Sequence, residues 1–279
     1  MHVPHASWLL AASLGVLVNA VSVVEVDLIF PRNETYSPTE AFPIVWAIQN
    51  SAKAQLLNPW VTYRINSWAN SSITFNRTSP IEVYEANLSS SDPYLFYHFH
   101  KALTPGQWWL SWQLHYQTCD VEALTNHSPF SDEGVFSNTS GWSRMFTISN
   151  STSAPNKEVN LVAATANNSC LDDLNVVVIN VTDTTMQSPS NLNWADRDTC
   201  AVTTNSTSAT PVHTPNPCGV SISPEMAASI SANLTYRRCR AIDAPNDCPE
   251  NAAQPLIVLG ASGLLATIGA VAFTILYSC

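Results

Sequence analysis

The segment Leu103–Tyr116, LTPGQWWLSWQLHY, decides the fold. After the turn at Pro105 and Gly106, bulky apolar residues recur at every second position: Trp108, Leu110, Trp112, Leu114 and Tyr116. Trp109, Ser111, Gln113 and His115 fill the alternate positions. A strand sends successive side chains to opposite faces, whereas a helix would scatter these groups around its axis. Such a strand has one face that must be covered by a second layer, so a packing of two sheets is expected.

The same period of two extends outward on both sides. Tyr94–His100 supplies a preceding strand and Trp142–Ile148 a closing one, with Phe146 and Ile148 inward. Phe42–Gln49 alternates through Ile44, Trp46 and Ile48, Trp60–Ile65 through Val61, Tyr63 and Ile65, and Ile73–Phe75 adds a weak strand. In Val23–Phe30 the apolar face is Val24, Val26, Leu28 and Phe30, and Glu25 and Asp27 belong to the other, so this strand reads as half-buried. The expectation is a mainly β chain built as an immunoglobulin- or fibronectin-like antiparallel sandwich, without the Cys-Trp-Cys spacing of a true immunoglobulin domain.

The polar stretch Asn150–Asn156, NSTSAPN, marks an expected boundary, giving a sandwich over residues 21–149 and a smaller region over 150–251. That second region should be loop-rich and disulfide-rich, with strands at Val159–Ala163 and Leu174–Val181. Val177, Ile179 and Val181 of the latter are expected inward. A Ser/Thr/Pro-rich loop covers Thr203–Pro217. Ser223-Pro224-Glu225 starts a short helix with its body at Met226–Ser231 and Arg237, Arg238 and Arg240 beyond its end.

Both ends read as targeting segments. Residues 1–20 resemble a secretory signal, with an apolar run from Ala6 to Val18 and cleavage after Ala20, although the n-region lacks Lys and Arg. Residues 252–279 hold an uncharged stretch, Leu256–Cys279, which as a helix would run ~36 Å, enough to cross a bilayer. No Lys or Arg follows it, and Asn251, Ala252 and Ala253 are small residues in a row. This suits a glycolipid-attachment signal with the lipid on Asn251; a retained single-pass helix is the alternative.

Charge and cysteine content agree with a secreted protein. Lys and Arg number only 11 against 21 Asp and Glu, so nucleic acid is not an expected partner. Glycosylation sequons occur at Asn33, Asn70, Asn76, Asn87, Asn126, Asn138, Asn150, Asn167, Asn180, Asn205 and Asn233. Loss of Cys279 with the tail leaves Cys119, Cys170, Cys200, Cys218, Cys239 and Cys248, an even set suited to an oxidising compartment, whose pairing the sequence leaves open.

Signatures of catalysis are missing: the chain has no GxSxG, HExxH, P-loop or GxGxxG motif. His98, His100 and His115 on neighbouring strands could hold a metal, or simply be polar-face residues. No metal or cofactor is expected. A copper centre on an N-terminal His fails, because cleavage would expose Val21. Carboxylate pairs for glycoside hydrolysis could be drawn from Glu82, Glu85, Asp92, Asp120, Glu122, Asp132, Glu133, Asp172 or Asp173, but their separation is not readable. Trp60, Trp68, Trp109 and Trp194 are candidates to stack on sugars, or to pack inside.

The stretches EVDLIFPRNETYSPTEAFPIVWAIQN (Glu25–Asn50), NPW (Asn58–Trp60) and CRAIDAPNDCPE (Cys239–Glu250) resemble a family of secreted fungal proteins defined only as a domain of unknown function. The resemblance spans Val23 to about Glu250 and carries no catalytic residues over. It implies a fungal cell-surface glycoprotein. The expected function is noncatalytic, anchored to membrane or wall and presenting the sandwich to wall glycan or a protein partner. A wall-remodelling glycoside hydrolase or transglycosylase and a structural spacer are the alternatives.

Overall fold

The computed structural model describes residues 21–69, 74–76, 80–101, 103–119, 134–150, 159–166, 175–188, 192, 194–203, 215–239 and 248. The chain is mainly β. Its strands are β1 (Val21–Phe30), β2 (Thr35–Tyr36), β3 (Ala41–Gln49), β4 (Trp60–Ser67), β5 (Thr74–Asn76), β6 (Tyr94–Lys101), β7 (Gly106–Cys119), β8 (Val135–Ile148), β9 (Val176–Gln187) and β10 (Thr199–Thr203). Short helices occur at α1 (Ser51–Ala54) and α2 (Leu161–Ala164), and a longer one at α3 (Pro224–Cys239).

The strands form two layers. One has the order β6-β3-β1-β9-β10 and the other β2-β8-β7-β4-β5, and β10 meets β7 at the pair Val202 and Cys119. The Cys119–Cys200 disulfide closes that junction. Across the interior Phe42 of β3 stacks on Phe146 of β8 at 5.0 Å, and Trp46 of β3 meets Tyr63 of β4 at 5.7 Å. As the alternation of Leu103–Tyr116 required, Trp108, Leu110, Trp112 and Leu114 all lie buried in this core. One polar residue ties the layers: Asn175 Oδ1 accepts the Trp112 indole N–H at 3.1 Å, its Nδ2 donates to the Ser143 carbonyl, and its own carbonyl accepts from the Leu28 amide.

Several expectations need correction. The pairing is mixed, because β2 runs parallel to β8 and β10 parallel to β7. The sandwich does not end near Asn150: β9 pairs along β1 from Val21 opposite Thr182 to Asp27 opposite Val176, placing a late strand in the centre of the first layer. The strand expected at Val159–Ala163 is instead the helical turn α2, started by Asn160, whose Oδ1 accepts from the Ala163 amide at 3.0 Å. Helix α3 runs on through Arg237 and Arg238 to Cys239. Its start is as read, with Ser223 Oγ accepting from the Met226 amide.

β1 is not half-buried. Glu25 and Asp27 are 3% and 0% exposed, and Asn216 packs on their face through the Glu25 carboxylate and the Gln49 amide. Val177, Ile179 and Val181 of β9 face inward as the alternation implied, leaving Asn180 half-buried. Among the described residues no helix is long and apolar enough to cross a membrane. The signal over 1–20, Asn251 and the tail over 252–279 lie outside the described residues.

Candidate functional site

The outward face of the second layer gathers most of the side chains suited to binding. Alternation sends Trp60, Thr62, Arg64 and Asn66 of β4 away from the core, together with Trp109, Ser111, Gln113 and His115 of β7. Register sets them side by side: Trp60 opposite His115, Thr62 opposite Gln113, Arg64 opposite Ser111 and Asn66 opposite Trp109. β8 continues the rows with Thr139 opposite His115, Gly141 opposite Gln113 and Ser143 opposite Ser111. Between the ends lies a groove of about 560 Å³, lined by Thr62, Arg64, Asn66, Gln113, Trp142 and Ser143 among others. Gly141 lets β8 approach β7 closely beside it, because a Cβ there would sit 2.3 Å from the Trp112 carbonyl oxygen.

An aromatic platform stands at each end. At one, Trp68 and Trp109 lie 6.0 Å apart with planes inclined by 28°, and Trp68 is 61% exposed. The Trp109 indole N–H donates to Ser111 Oγ at 2.8 Å, and Ser111 Oγ in turn meets Ser143 Oγ at 3.1 Å, which fixes the ring along the strand. At the other, Trp60 stacks on His115 at 3.7 Å with planes nearly parallel, and Trp194 meets Trp60 edge-on at 5.9 Å. Trp109 and His115 are six residues apart on one strand, so the platforms are separated by ~20 Å.

The second platform is held from below. Trp194 donates its indole N–H to the Asn58 carbonyl at 2.6 Å and its amide to Gln117 Oε1 at 3.3 Å. Arg197 fastens the same segment through the Tyr84 carbonyl at 2.8 Å, Asn58 Oδ1 at 3.2 Å and the Gln55 carbonyl. His115 lies between Thr62 Oγ1 and Thr139 Oγ1, and partial burial lowers its pKa, which favours the neutral ring. Two faces of neutral rings flanking hydroxyls and amides form a surface that can stack on apolar faces and hydrogen-bond to hydroxyl groups.

Trp60, Trp68, Trp109 and Trp194 therefore all reach one face, in two pairs. The sequence did not single out Trp142, which is 48% exposed and lines the groove. The three histidines do not converge: His98 bonds Tyr63 in the interior and His100 is buried, whereas His115 stands on the outer face of the other layer. Among the described residues no group of three or more His, Cys, Asp or Glu is placed to hold a metal. Of the proposed acids, Glu82 precedes and Glu85 ends a one-turn 3-10 helix, and Asp92 Oδ1 accepts from the Ser51 amide. Asp120, Glu122, Asp132, Glu133, Asp172 and Asp173 lie outside the described residues.

A carboxyl pair that the sequence did not suggest sits on the other layer. Gln49 Nε2 donates to Glu25 Oε1 at 3.0 Å, to Asp27 Oδ2 at 2.8 Å and to the Asn216 carbonyl at 3.0 Å, while the Asn216 amide donates to Glu25 Oε1 at 2.8 Å. Burial, and secondarily the charge of Glu25, pushes the Asp27 carboxyl up to about 8. The signal available was two acids at i and i+2, on one face of a strand, with a glutamine at the end of its partner.

Cysteines pair as Cys119–Cys200 and Cys239–Cys248, and Cys218 is also disulfide-bonded. Cys170 lies outside the described residues, as do Asn70, Asn126, Asn167 and Asn205. Asn33, Asn87 and Asn150 are exposed; Asn138, Asn180 and Asn233 are half-buried; Asn76 lies on β5 at the register position opposite Arg64.

A family model described as a domain of unknown function, DUF7136, matches residues 19–248. The chain belongs to the DUF7136 family. No curated protein and no solved structure matches it. The DUF7136 match runs across Asn150 without a break, in keeping with β9 and β10 completing the sheets. Within this DUF7136 chain the EVD and IVWAIQN stretches meet physically: Gln49 holds both acids of β1, and Asn50 Nδ2 donates to the Val23 carbonyl at 3.1 Å.

Proposed function

We propose that the protein is a noncatalytic glycoprotein of a fungal cell surface, held by a C-terminal glycolipid anchor, whose β4–β7–β8 face binds a wall glycan. One observation carries this reading: tryptophan pairs stand at both ends of a groove whose lining, among the described residues, includes one cation and no carboxylate. Indole rings stack on the apolar faces of sugars, and the hydroxyls and amides between them match sugar hydroxyls. Hydrolysis needs two carboxyl groups flanking the scissile bond. The Glu25–Asp27 pair is buried behind Asn216 on the opposite layer, so it supports a structural role and not a hydrolytic one.

The test is a pull-down of the purified protein on insoluble fungal wall fractions, comparing wild type with Trp68→Ala. Trp68 is exposed, so its loss should leave the fold intact. Retention by wild type and release of the variant is the expected result. Equal retention of both would remove the tryptophan face from the account, retention of neither would leave a structural spacer, and shortened glycan products would favour the hydrolase.

A further inference from the structure

We infer that the preferred ligand is an extended, β-1,4-linked glycan ribbon, bound along its interior rather than at a chain end. This rests on the glycan-binding reading above and narrows it. The two platforms lie on the same strand, with Trp109 at one end and His115, under Trp60, at the other. A ligand that touches both must run parallel to β7 and stay straight for ~20 Å. Equatorial 1,4-linkages give flat, straight ribbons whose rings present apolar faces, whereas β-1,3- and α-1,4-linked chains curl away from a straight strip.

The space between the platforms fits such a chain. Thr62, Ser111 and Gln113 offer hydroxyl and amide groups at the spacing of alternate strand residues, and these suit the edge hydroxyls of a ribbon. Trp142 and the bare backbone of Gly141 set the β8 side of the groove, with β8 drawn close against β7 at that point. Both ends of the strip finish in aromatic rings. Glucan and N-acetylglucosamine polymers share this ribbon geometry, and the ligand series separates them.

The experiment is calorimetric titration of the purified full-length glycoprotein with 1,4-linked gluco- and N-acetylgluco-oligosaccharides of three to six units, against a β-1,3-linked glucohexaose. The expected result is affinity that rises with length for one of the 1,4-linked series, with the hexamer at least about tenfold tighter than both its trimer and the β-1,3 hexamer. Trp68→Ala should remove the gain from length while leaving trimer binding at the intact platform. Equal or tighter binding of the β-1,3 hexamer overturns the ribbon inference alone. Affinity independent of length overturns the use of two platforms. Failure of every glycan to bind removes the glycan reading itself.

Discussion

Glu25 and Asp27 share one donor, the Gln49 side-chain amide, at 3.0 and 2.8 Å. Two carboxyl groups in the interior cannot both ionise cheaply, so the pair retains a proton. With Asp27 raised from 3.8 to about 8, the folded chain binds this proton more tightly than the unfolded chain does. The contribution is complete below the unfolded value and is lost as pH rises toward 8, with a slope of at most ~1.4 kcal/mol per pH unit. The thermal midpoint should fall from pH 4 to pH 8 in wild type, and Asp27→Asn should flatten that fall. Parallel profiles for the two proteins would show that the pair holds no proton.

Asn175 serves three strands at once through Trp112, Ser143 and Leu28. Asn175→Ala leaves the buried indole N–H of Trp112 without an acceptor, at a cost of ~1–3 kcal/mol. Urea unfolding should show a lower midpoint at unchanged slope. A midpoint equal to wild type would mean that the bond contributes nothing.

Gly106 and Gly141 should separate strain from crowding. Gly106 has a φ of +147° with open space around its missing Cβ, so Gly106→Ala should cost ~1–3 kcal/mol through the backbone alone. Gly141→Ala drives a methyl group into the Trp112 carbonyl, so it should lower both stability and wall binding. Wall binding unaffected by Gly141→Ala would place the ligand elsewhere.

Cys119–Cys200 bridges positions 81 residues apart at the one point where β10 meets β7. Replacing both cysteines with serine should cost ~2–5 kcal/mol, read by denaturant titration under oxidising conditions. A loss below that range would assign the junction to side-chain packing instead.

The tail Leu256–Cys279 should be absent from the mature protein. Treating intact cells with a phosphatidylinositol-specific phospholipase is expected to release it into the medium. Retention on the cells, with a Cys279-containing peptide found by mass spectrometry, would establish a transmembrane helix in its place.

What the sequence revealed was what alternation can encode. Trp108, Leu110, Trp112 and Leu114 declared a buried face, and Trp60 and Trp109 landed on the opposite one as their parity required. Parity cannot say what covers a polar face. Glu25 and Asp27 looked solvated because the segment that buries them, around Asn216, arrives from a distant loop with no periodic pattern of its own. Short local signals misled at Val159–Ala163, where apolar residues suited a strand but Asn160 capped a turn of helix. The groove was half legible, since the four tryptophans were visible but their register across β4, β7 and β8 was not.

The placement of β9 beside β1 has a consequence for biosynthesis. Glu25 pairs with Val178, so the first strand to leave the ribosome waits for a neighbour translated ~150 residues later, roughly 8–30 s at ordinary elongation rates. During that interval one edge of β1 stays open and its two acids lack the cover that Asn216 supplies later still. Such non-local pairing slows folding and leaves strand edges open to intermolecular association. The protein is thus expected to depend on folding assistance until its C-terminal third has emerged, and truncations that remove β9 should aggregate or be degraded.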